Sequence, residues 1–598
     1  MGLRLHNTYT RSLEPFVPLD PSGRTVLFYS CGPTVYSYAH IGNFRSFLLA
    51  DLLARTLRRR GFDVRQVMNI TDVGHMTEDH LADATGEDKL SKAARELGRD
   101  PFQVARHFES MFAIDARAIR LAIYEGAAAG DPTLHPRATR YLPEMLEAIQ
   151  RLLDHGYAYV DNQGQAYFEI ARFAEYGQLS GKVIDELEPG ARVEVRDEKR
   201  DPHDFALWKV DPQHLMQWDP HAPDGWEPED WARLERLVPG GVDRRLARGF
   251  PGWHIECSAM ARACLGPVID LHSGGEDNIF PHHECEIAQS YGAYGTVVPA
   301  PEGERRSFSR VWVHGRHLLV NGRKMSKRDG SFFTVRDLLD PGPQRPDLIA
   351  PLEALGFAGG RVPAPVLRWA LLSTHYRLPL NFSFDLLVSA RAAVQRLQSR
   401  YDRLRELEDE DRGAGAGAVS DAVAAALDRG RARFDDALDD DLDIAAALAA
   451  LLDLFGELNV LSLGPADAAA ARAFLEELDG VVAVLDRSRR AGLLERERMT
   501  RWRDPGFRTA QAQALAGWRE LADRAPLVAA LERGELPSAD ELAAVADLDE
   551  AVLELAVAAR EHARASRDFA RADQLRDLLR TRQVTVDDTP QGVRWHLP

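Results

Sequence analysis

One early segment constrains the fold of this chain more than any other. Residues 25–30 (TVLFYS) have the β-branched and aromatic composition of a buried strand, and CGP at 31–33 turns the chain. Apolar side chains then recur at helical spacing over residues 45–60, and residues 64–70 form the next predicted strand. A strand, a helix and a returning strand in this order predict the start of a parallel α/β sheet.

The predicted sheet is interrupted by a long insertion. Residues 265–272 and 310–320 have the composition of further strands, so an insertion over residues 121–245 separates the two parts of the sheet. Residues 210–250 are rich in Trp, Pro and charge without a clear period, which predicts a surface excursion. After Pro363 the pattern is helical. The expected fold class is α/β, with a Rossmann-like parallel-sheet domain split by an insertion and followed by an α-helical C-terminal region.

Size and composition narrow the class of protein. The chain has 598 residues, so we expect roughly three or four domains of ~150 residues. Its formal net charge of −18 argues against a protein that coats nucleic acid without specificity. No apolar run reaches the roughly 18–20 residues of a membrane span, and the N-terminus lacks the apolar core of a secretory signal. The four cysteines are too few for a disulfide framework, and their neighbours predict metal binding or catalysis in a cytoplasmic protein. Cys264 is expected to be a small buried hydrophobe.

Two short segments are rich in groups that bind phosphate. His40, Gly42 and Asn43 lie where a helix is predicted to begin, so backbone N–H groups, the helix dipole and two polar side chains favour an anion. Lys324 and Lys327 are three residues apart, in KMSKR, and can follow charge onto a pyrophosphate leaving group. Each segment alone is also typical of an ordinary helix start or of a solvated basic loop. Their combination predicts a nucleotide site.

A third segment adds contacts suited to a nucleoside. Gly274 and Gly275 follow a predicted strand, where they permit close approach of a nucleoside. Asp277 is then suited to hold a ribose hydroxyl. A Gly-Gly turn is weak evidence alone, and its place after a sheet strand strengthens the prediction.

Four residues carry the donor atoms of a zinc site. His282 and Glu286 are four residues apart and share one face of a predicted helix, while Cys31 and Cys257 lie at predicted sheet edges. Such a metal would bind a thiol in preference to a hydroxyl, a difference that apolar contacts discriminate poorly. The donors that remain open as alternatives are Cys285, His283 and Glu284.

The two phosphate-binding segments resemble the signature motifs of class I aminoacyl-tRNA synthetases, and the wider chain resembles the cysteinyl-tRNA synthetase family. The resemblance rests on FYSCGPTVY at 28–36, NITD at 69–72, GWHIECSAM at 252–260, FPHHE at 280–284, LSTHYR at 372–377 and DTPQG at 588–592. It implies ATP-dependent activation of L-cysteine to cysteinyl-adenylate and transfer to the 3′ end of tRNA(Cys), by a cytoplasmic monomer.

The resemblance also implies residue roles. ATP, with Mg²⁺, is expected to contact His40, Gly42, Asn43, Gly274, Gly275, Asp277, Lys324 and Lys327. The implied catalytic residues are His40, Asn43, Lys324 and Lys327. Cysteine is expected to contact Cys31, Gly32, Thr71 and Trp253. One zinc ion is expected on Cys31, Cys257, His282 and Glu286. In two departures from the usual signatures, Asn43 replaces the second His and Arg328 replaces a Ser.

The resemblance implies a division of labour along the chain. The expected parts are a catalytic domain at 1–120 and 246–335, a connective insertion at 121–245, a stem-contact region at 336–400, a helical bundle at 401–545 and an anticodon-binding module at 546–598. Trp595 is expected to stack on a base. A stripe of arginines is expected to contact phosphates, although interleaved acidic residues also fit a solvated helix face. These arginines are Arg560, Arg564, Arg567, Arg571, Arg576, Arg580 and Arg582.

Two other functions fit part of the pattern. A ligase that joins cysteine to an amino sugar would share the metal and nucleotide residues, but the long helical region and the C-terminal DTPQG argue against it. A non-catalytic, zinc-holding RNA-binding module would not need His40, Lys324 and Lys327. Cysteine-dependent exchange of pyrophosphate into ATP separates the enzyme from that module.

Overall fold

The structure, a computed structural model, describes residues 2–74, 76–78, 85–126, 128, 131–182, 199–300, 303–325, 331–409, 418–487, 491–515, 519, 521–545, 550–582, 584–588 and 592–596. The chain forms two compact units. The first comprises Met1–Arg396, Asp421–Leu461 and Phe474–Val484, and the second comprises Leu397–Ser420, Ser462–Ala473 and Leu485–Pro598.

The strands and helices follow one another along the chain as two series. The strands are β1 (Arg4–Asn7), β2 (Ser12–Pro15), β3 (Thr25–Ser30), β4 (Asp63–Met68), β5 (Met76–Glu78), β6 (Thr85–Asp88), β7 (Ala158–Val160), β8 (Ala166–Phe168), β9 (Phe205–Lys209), β10 (Phe250–Pro251), β11 (Ile269–Gly275), β12 (Val298–Ala300), β13 (Gly303–Arg305), β14 (Ser309–Gly315), β15 (Leu318–Val320), β16 (Arg323–Lys324), β17 (Leu380–Phe382), β18 (Ala491–Glu495), β19 (Thr585–Asp588) and β20 (Gly592–His596). The helices are α1 (Ile41–Arg59), α2 (Lys89–Leu97), α3 (Pro101–Ala118), α4 (Leu142–Asp154), α5 (Pro228–Leu237), α6 (Trp253–Leu265), α7 (Glu284–Tyr294), α8 (Val335–Leu339), α9 (Pro346–Ala354), α10 (Ala364–Leu372), α11 (Phe384–Asp409), α12 (Asp421–Asp439), α13 (Ile444–Leu458), α14 (Pro465–Val482), α15 (Arg496–Arg501), α16 (Pro505–Ala514), α17 (Ala525–Glu532), α18 (Ala539–Ala543), α19 (Glu550–Ala565) and α20 (Phe569–Thr581).

A parallel sheet forms the centre of the first unit. Its strands lie in the order β14-β11-β3-β4, and every adjacent pair is parallel. Val26, Phe28 and Tyr29 of β3 are fully buried, as expected for a strand of a parallel sheet covered on both faces. Because β11 pairs with β3 across about 240 residues of sequence, the carboxyl ends of these two strands meet at one edge. The predicted α/β fold class with a split parallel sheet is confirmed.

The described part of the insertion supplies most of an antiparallel sheet. It contributes β7, β8 and β9 to a sheet of order β10-β9-β8-β7, in which β10 follows the insertion. The prediction of a surface excursion at 210–250 is wrong, because Trp218 and Leu234 are each only 4% exposed and belong to the same hydrophobic core as Tyr29 of the parallel sheet. Their large apolar area outweighs the charge and proline content of the segment, which had suggested exposure.

A buried ion pair joins α1 to α10. Arg368 Nη2 lies 2.5 Å from Asp51 Oδ2, and the two side chains are 1% and 3% exposed. Asp51 also accepts hydrogen bonds from Arg55 Nε at 2.9 Å and from the N–H of Ala122 at 2.7 Å. Burial raises the pKa of Asp51, but the charges of Arg55 and Arg368 outweigh it and hold the pKa below its ordinary value.

Replacing Asp51 with asparagine is expected to destabilise the protein by about 3–5 kcal/mol, because the Arg368 charge would be buried without its counter-ion. Urea unfolding followed by circular dichroism measures this loss. Since the folded protein holds the Asp51 proton less tightly than the unfolded chain, the stabilisation is present above about pH 4 and is lost as the pH falls. Asp453→Asn removes an exposed ion pair with Arg433 and should cost at most about 1 kcal/mol. Equal losses in the two variants would contradict the assignment.

In the second unit, several side chains that were predicted to contact RNA contact protein groups. Trp595 is 3% exposed and packs in the core of this unit on β20, so the prediction that it stacks on a base is wrong. Several arginines of the predicted stripe bind protein groups instead. Arg571 and Arg582 donate to backbone carbonyls, and Arg564 pairs with Glu561 and Asp588. These arginine side chains therefore do not form a continuous stripe along the helices.

Candidate active site and metal centre

A cleft of about 330 Å³ opens at the carboxyl ends of β3 and β11 and at the N-terminus of α1. Most of the residues expected to bind ATP, cysteine or metal line this cleft. They are Cys31, Gly32, His40, Asn43, Thr71, Trp253, Cys257, Gly275, Asp277 and His282. Lys327 lies outside the described residues.

His40 and Asn43 form the cap of α1. His40 Nδ1 accepts a hydrogen bond from the N–H of Asn43, and Asn43 Oδ1 accepts one from the N–H of His40, each at 3.1 Å. This reciprocal capping fixes the start of the helix. Because Nδ1 is the acceptor, the neutral ring carries its proton on Nε2. The backbone N–H of Asn43 therefore orients the His40 ring, and the Asn43 side chain caps the His40 backbone N–H.

The second phosphate-binding segment lies next to the first. Met325 Cε would lie 2.9 Å from a Cβ added to Gly42, so a side chain at this position would press on the segment that carries Lys324. Lys324 itself is exposed at the end of β16. Gly42 thus acts through its lack of a side chain, which allows the two segments to approach.

The glycines near the strand ends contact different groups. The N–H of Gly32 donates to Asn69 Oδ1 at 2.8 Å, and an added Cβ would collide with the Asn69 carbonyl oxygen. Gly275 lines the cleft, whereas a Cβ on Gly274 would meet His283 and Asn278 at 2.8 Å. Gly274 therefore packs against His283 and Asn278.

The four residues proposed as metal ligands come together. Cys31 Sγ, Cys257 Sγ, a His282 ring nitrogen and a Glu286 carboxylate oxygen all lie within 4.8 Å of one another. His282 Nε2 is 3.1 Å from Glu286 Oε1, as expected for residues four apart on one helical face. Except for the half-buried Cys31, these residues are buried.

The electrostatics of this cluster favour a cation. A hydrogen bond with the Cys31 thiol, together with burial, raises the pKa of Cys257 well above its ordinary value. Burial likewise raises the pKa of Glu286. Glu286 Oε1 accepts no hydrogen bond within the described part of the chain. Two thiols and a buried carboxylate that all resist ionisation would become good ligands if a divalent cation compensated their charge.

Two further histidines adjoin the cluster: His283, which the sequence left open as an alternative donor, and His272, which the sequence analysis missed. His272 Nε2 lies 3.0 Å from Glu286 Oε2, and His283 Nε2 lies 3.2 Å from Cys31 Sγ. With Cys31 and Glu286 they form a second, overlapping group of potential ligands. Burial lowers the pKa of His272 to about 3, so its ring is neutral. The only local indication that His272 is a possible donor was the position of a histidine on a buried strand.

The remaining alternative ligands are directed elsewhere. Cys285 Sγ lies 3.3 Å from the Tyr176 hydroxyl and belongs to neither donor group. Glu284 accepts hydrogen bonds from the N–H groups of Leu179 and Ser180. Both residues therefore hold the insertion against α7.

Trp253 and Thr71 border the donor cluster. The Trp253 ring stacks on His282, with centroids 4.3 Å apart and an angle of 19° between the planes. Thr71 Oγ1 accepts a hydrogen bond from Asn69 Nδ2 at 3.1 Å. The same Asn69 holds the backbone beside Cys31, so the strand ends and the donor cluster form one connected structure.

Lys89 also lines the cleft, and no motif in the sequence pointed to it. Its Nζ lies 5.3 Å from the centroid of the Tyr36 ring. Lys89 begins α2, which Asp88 caps by accepting a hydrogen bond from the N–H of Ser91 at 2.6 Å. A lysine after an acidic residue is common at solvated helix starts, so the sequence contained no specific signal.

Comparisons with known proteins agree with this geometry. The profile for tRNA synthetases class I (C) catalytic domain matches residues 17–232 and 240–345, and the DALR domain profile matches residues 433–486. A Cysteine–tRNA ligase of Salinibacter ruber is 39% identical over 601 residues, covering 99% of this chain and 98% of that protein. One of Symbiobacterium thermophilum is 38% identical over 600 residues, covering 100% of this chain and 99% of that protein.

The chain belongs to the cysteine–tRNA ligase family of class I aminoacyl-tRNA synthetases. This membership confirms the family resemblance and the predicted enzyme class. A LeuRS of Agrobacterium radiobacter K84, solved in a ternary complex with tRNA and LeuAMS, shares the fold of this cysteine–tRNA ligase family member with a TM-score of 0.51 and 12% identity, over 78% of this chain and 85% of that one. Within the described residues, no helix has the length and apolar character required to cross a lipid bilayer.

Proposed function

We propose that this chain activates L-cysteine with ATP to cysteinyl-adenylate and transfers the cysteinyl group to the 3′ end of tRNA(Cys), with a zinc ion selecting the substrate thiolate. The observation that carries the proposal is the donor group of Cys31, Cys257, His282 and Glu286. Cys31, Cys257 and His282 line the same cleft as His40, the cap of α1. A sulfur-binding centre thus adjoins a phosphate-binding helix start.

The residues present fit zinc. Two sulfur atoms, one imidazole and one carboxylate are the donor types that zinc accepts in a tetrahedral shell. The unsatisfied, buried Glu286 Oε1 faces His282 Nε2 at 3.1 Å, an arrangement that a shared cation would stabilise. When bound, the zinc ion would supply a coordination bond to a thiolate that a hydroxyl forms poorly. The protein residues hold the four donors in place, and Trp253 fixes the plane of the His282 ring.

The cysteine backbone is proposed to lie against Gly32 and Thr71. Gly32 lines the cleft, and its lack of a side chain leaves room for the Asn69 carbonyl behind it. Asn69 holds both Gly32 and Thr71 by hydrogen bonds. Trp253 would wall the substrate side chain next to His282. This arrangement orients the cysteine carboxylate towards the nucleotide.

The nucleotide is proposed to lie along the start of α1. The Nε2–H of His40 and the dipole of α1 favour the phosphates, and Asp277 is suited to a ribose hydroxyl. Lys324 and Lys327 would compensate the charge on pyrophosphate, with Mg²⁺ accompanying the ATP. The cysteine carboxylate is already ionised at neutral pH, so positioning and charge stabilisation suffice without a general base.

We also propose how the rest of the protein serves this reaction. Residues 1–120 and 246–335 would carry catalysis, 121–245 would form the connective insertion, 336–400 would contact the tRNA stem, 401–545 would be a helical bundle, and 546–598 would read the anticodon. The protein would act as a cytoplasmic monomer.

Cysteine-dependent exchange of pyrophosphate into ATP tests this function. With zinc-replete protein we expect exchange with cysteine, exchange with serine at least about a hundredfold weaker, and transfer of labelled cysteine to a tRNA(Cys) transcript. No exchange with cysteine, or equal exchange with serine, would overturn the proposal. Transfer to an amino sugar in place of tRNA would identify the alternative ligase.

A further inference from the structure

One cationic side chain of the cleft has no role in the chemistry described above. Among the described residues that line the cleft, Lys89 is the only lysine or arginine, and Asp277 is the only aspartate or glutamate. Lys324, which is also described, does not line the cleft. A single ammonium group in a cleft where anionic groups have to meet is well suited to bind one of them.

The backbone places Lys89 on the side of the cleft where Thr71 lies. Lys89 directly follows β6, and β6 pairs with β5 in an antiparallel register that sets Asp88 opposite Met76. β5 begins at Met76, only five residues after Thr71. The segment that continues from Thr71 is therefore paired with the strand that ends at Lys89.

The Tyr36 ring helps to position the ammonium group on this side. The Thr71 N–H donates to the carbonyl of Pro33 at 3.0 Å, and the Thr71 carbonyl accepts from the N–H of Val35 at 3.1 Å, so the segment that leads to Tyr36 is fixed to Thr71. Lys89 Nζ lies 5.3 Å from the centroid of the Tyr36 ring, which is within cation–π range. An aromatic ring attracts an ammonium group without adding a negative formal charge, so this contact is compatible with binding of an anion.

The carboxylate that precedes Lys89 is directed into the core. Asp88 is only 3% exposed, accepts a hydrogen bond from the N–H of Ser91 at 2.6 Å, and lies 3.6 Å from His214 Nε2. His214 in turn stacks on Phe250, with ring centroids 3.7 Å apart. These contacts fix the start of α2. Lys89, which is half-buried, lines the cleft at this fixed position.

We propose that Lys89 is a further catalytic residue, which binds the α-carboxylate of cysteine and holds it against the α-phosphate of ATP. The inference rests on the proposed function, in which cysteine lies against Gly32 and Thr71. The reaction joins two anions, and they repel each other more strongly in a cleft than in bulk water. An ammonium group beside the carboxylate offsets this repulsion.

The ammonium group takes no part in the exchange of bonds. One carboxylate oxygen would accept a hydrogen bond from Lys89 Nζ, which leaves the other oxygen free to attack the α-phosphorus. That oxygen forms the new P–O bond, the bond from the α-phosphorus to the bridging oxygen of pyrophosphate breaks, and pyrophosphate leaves with the electron pair. Lys89 keeps its protons throughout and contributes by position and charge.

Binding of cysteine and of cysteamine to the zinc-replete protein tests this assignment. Cysteamine has the thiol and the amino group of cysteine but lacks the carboxylate. In equilibrium dialysis, Lys89→Met is expected to raise the Kd for cysteine about tenfold and to leave the Kd for cysteamine unchanged. Rapid-quench measurement is expected to show adenylate formation slowed by about a hundredfold. Lys89→Arg, which keeps the charge, should recover most of both losses.

Lys92→Met is the matched control. Lys92 is an exposed lysine of the same helix, α2, and does not line the cleft. Its Kd values and rate constant should equal those of the wild type. Zinc content and thermal melting show whether each variant is folded, and Lys89→Gln replaces Lys89→Met if the latter does not fold.

The possible outcomes distinguish the roles of Lys89. Unchanged affinity and rate in folded Lys89→Met would overturn the proposal, and so would an equal rise in the Kd for both ligands, because Lys89 would then only shape the pocket. A slower rate with unchanged affinity for cysteine would assign the charge to the nucleotide and contradict binding of the carboxylate. Absence of cysteine-dependent exchange in the zinc-replete wild type would instead refute the proposed function.

Discussion

Replacing Cys257 with serine is expected to strip the protein of its zinc and to lower cysteine activation by at least about a hundredfold. Cys257 Sγ lies within 4.8 Å of the other three donor atoms, and a serine hydroxyl is a much poorer zinc ligand than a thiolate. The loss of zinc is measured by the metal content after dialysis and by the absorption spectrum of the cobalt-substituted protein. The loss of activation is measured by cysteine-dependent pyrophosphate exchange. The metal measurements do not depend on activity.

Cys264→Ser provides the matched control. Cys264 is on the same helix, α6, but its thiol lies 3.3 Å from the Tyr141 hydroxyl and belongs to neither donor group. This variant should retain zinc and exchange. Full zinc and normal exchange in Cys257→Ser would remove Cys257 from the centre.

The overlapping histidine group makes this experiment sharper. Cys31 and Glu286 belong to both donor groups, whereas Cys257 and His282 belong to one, and His272 and His283 to the other. If zinc persists in Cys257→Ser but is lost in His272→Gln, the ion is held by the second group. Loss in Cys257→Ser with retention in His272→Gln assigns it to the first.

Local patterns predicted the central elements of the fold. The apolar run of β3 and the helical spacing of α1 identify their elements without any tertiary information, because periodicity reflects the burial of one face or both. The prediction for residues 210–250 was wrong because the position of this segment is decided by contacts with distant parts of the chain. Trp218 packs into a core assembled from distant parts of the chain, and no local period records that packing.

The candidate site was predictable to a similar degree. The donor types of Cys31, Cys257, His282 and Glu286, together with the family resemblance, indicated the centre. The position of His272 depends on the pairing of β11 with β3, which sequence spacing does not specify. Trp595 illustrates the converse error, since an aromatic residue in a short terminal strand fits a base-stacking surface and a hydrophobic core equally well.

Replacing Lys327 with alanine is expected to slow adenylate formation by about a hundredfold while leaving cysteine affinity nearly unchanged. In the proposed function the Lys327 ammonium compensates charge that develops on the pyrophosphate, so its loss raises the transition state more than the bound ground state. Rapid-quench measurement of adenylate formation gives the rate constant. Equilibrium dialysis of labelled cysteine gives the affinity.

Arg323→Ala separates this effect from a general loss of positive charge in the same segment. Arg323 is exposed on β16, one residue before Lys324, and it is not among the residues proposed to contact the nucleotide. If only the total positive charge of the segment attracted ATP, both variants would raise the KM for ATP by similar factors. High salt would then raise the KM of the wild type for ATP to a similar extent. If Lys327 acts on the transition state, only Lys327→Ala lowers the rate constant at saturating ATP. A weaker affinity for cysteine with an unchanged rate constant would place Lys327 at the amino-acid side of the cleft and contradict its proposed role.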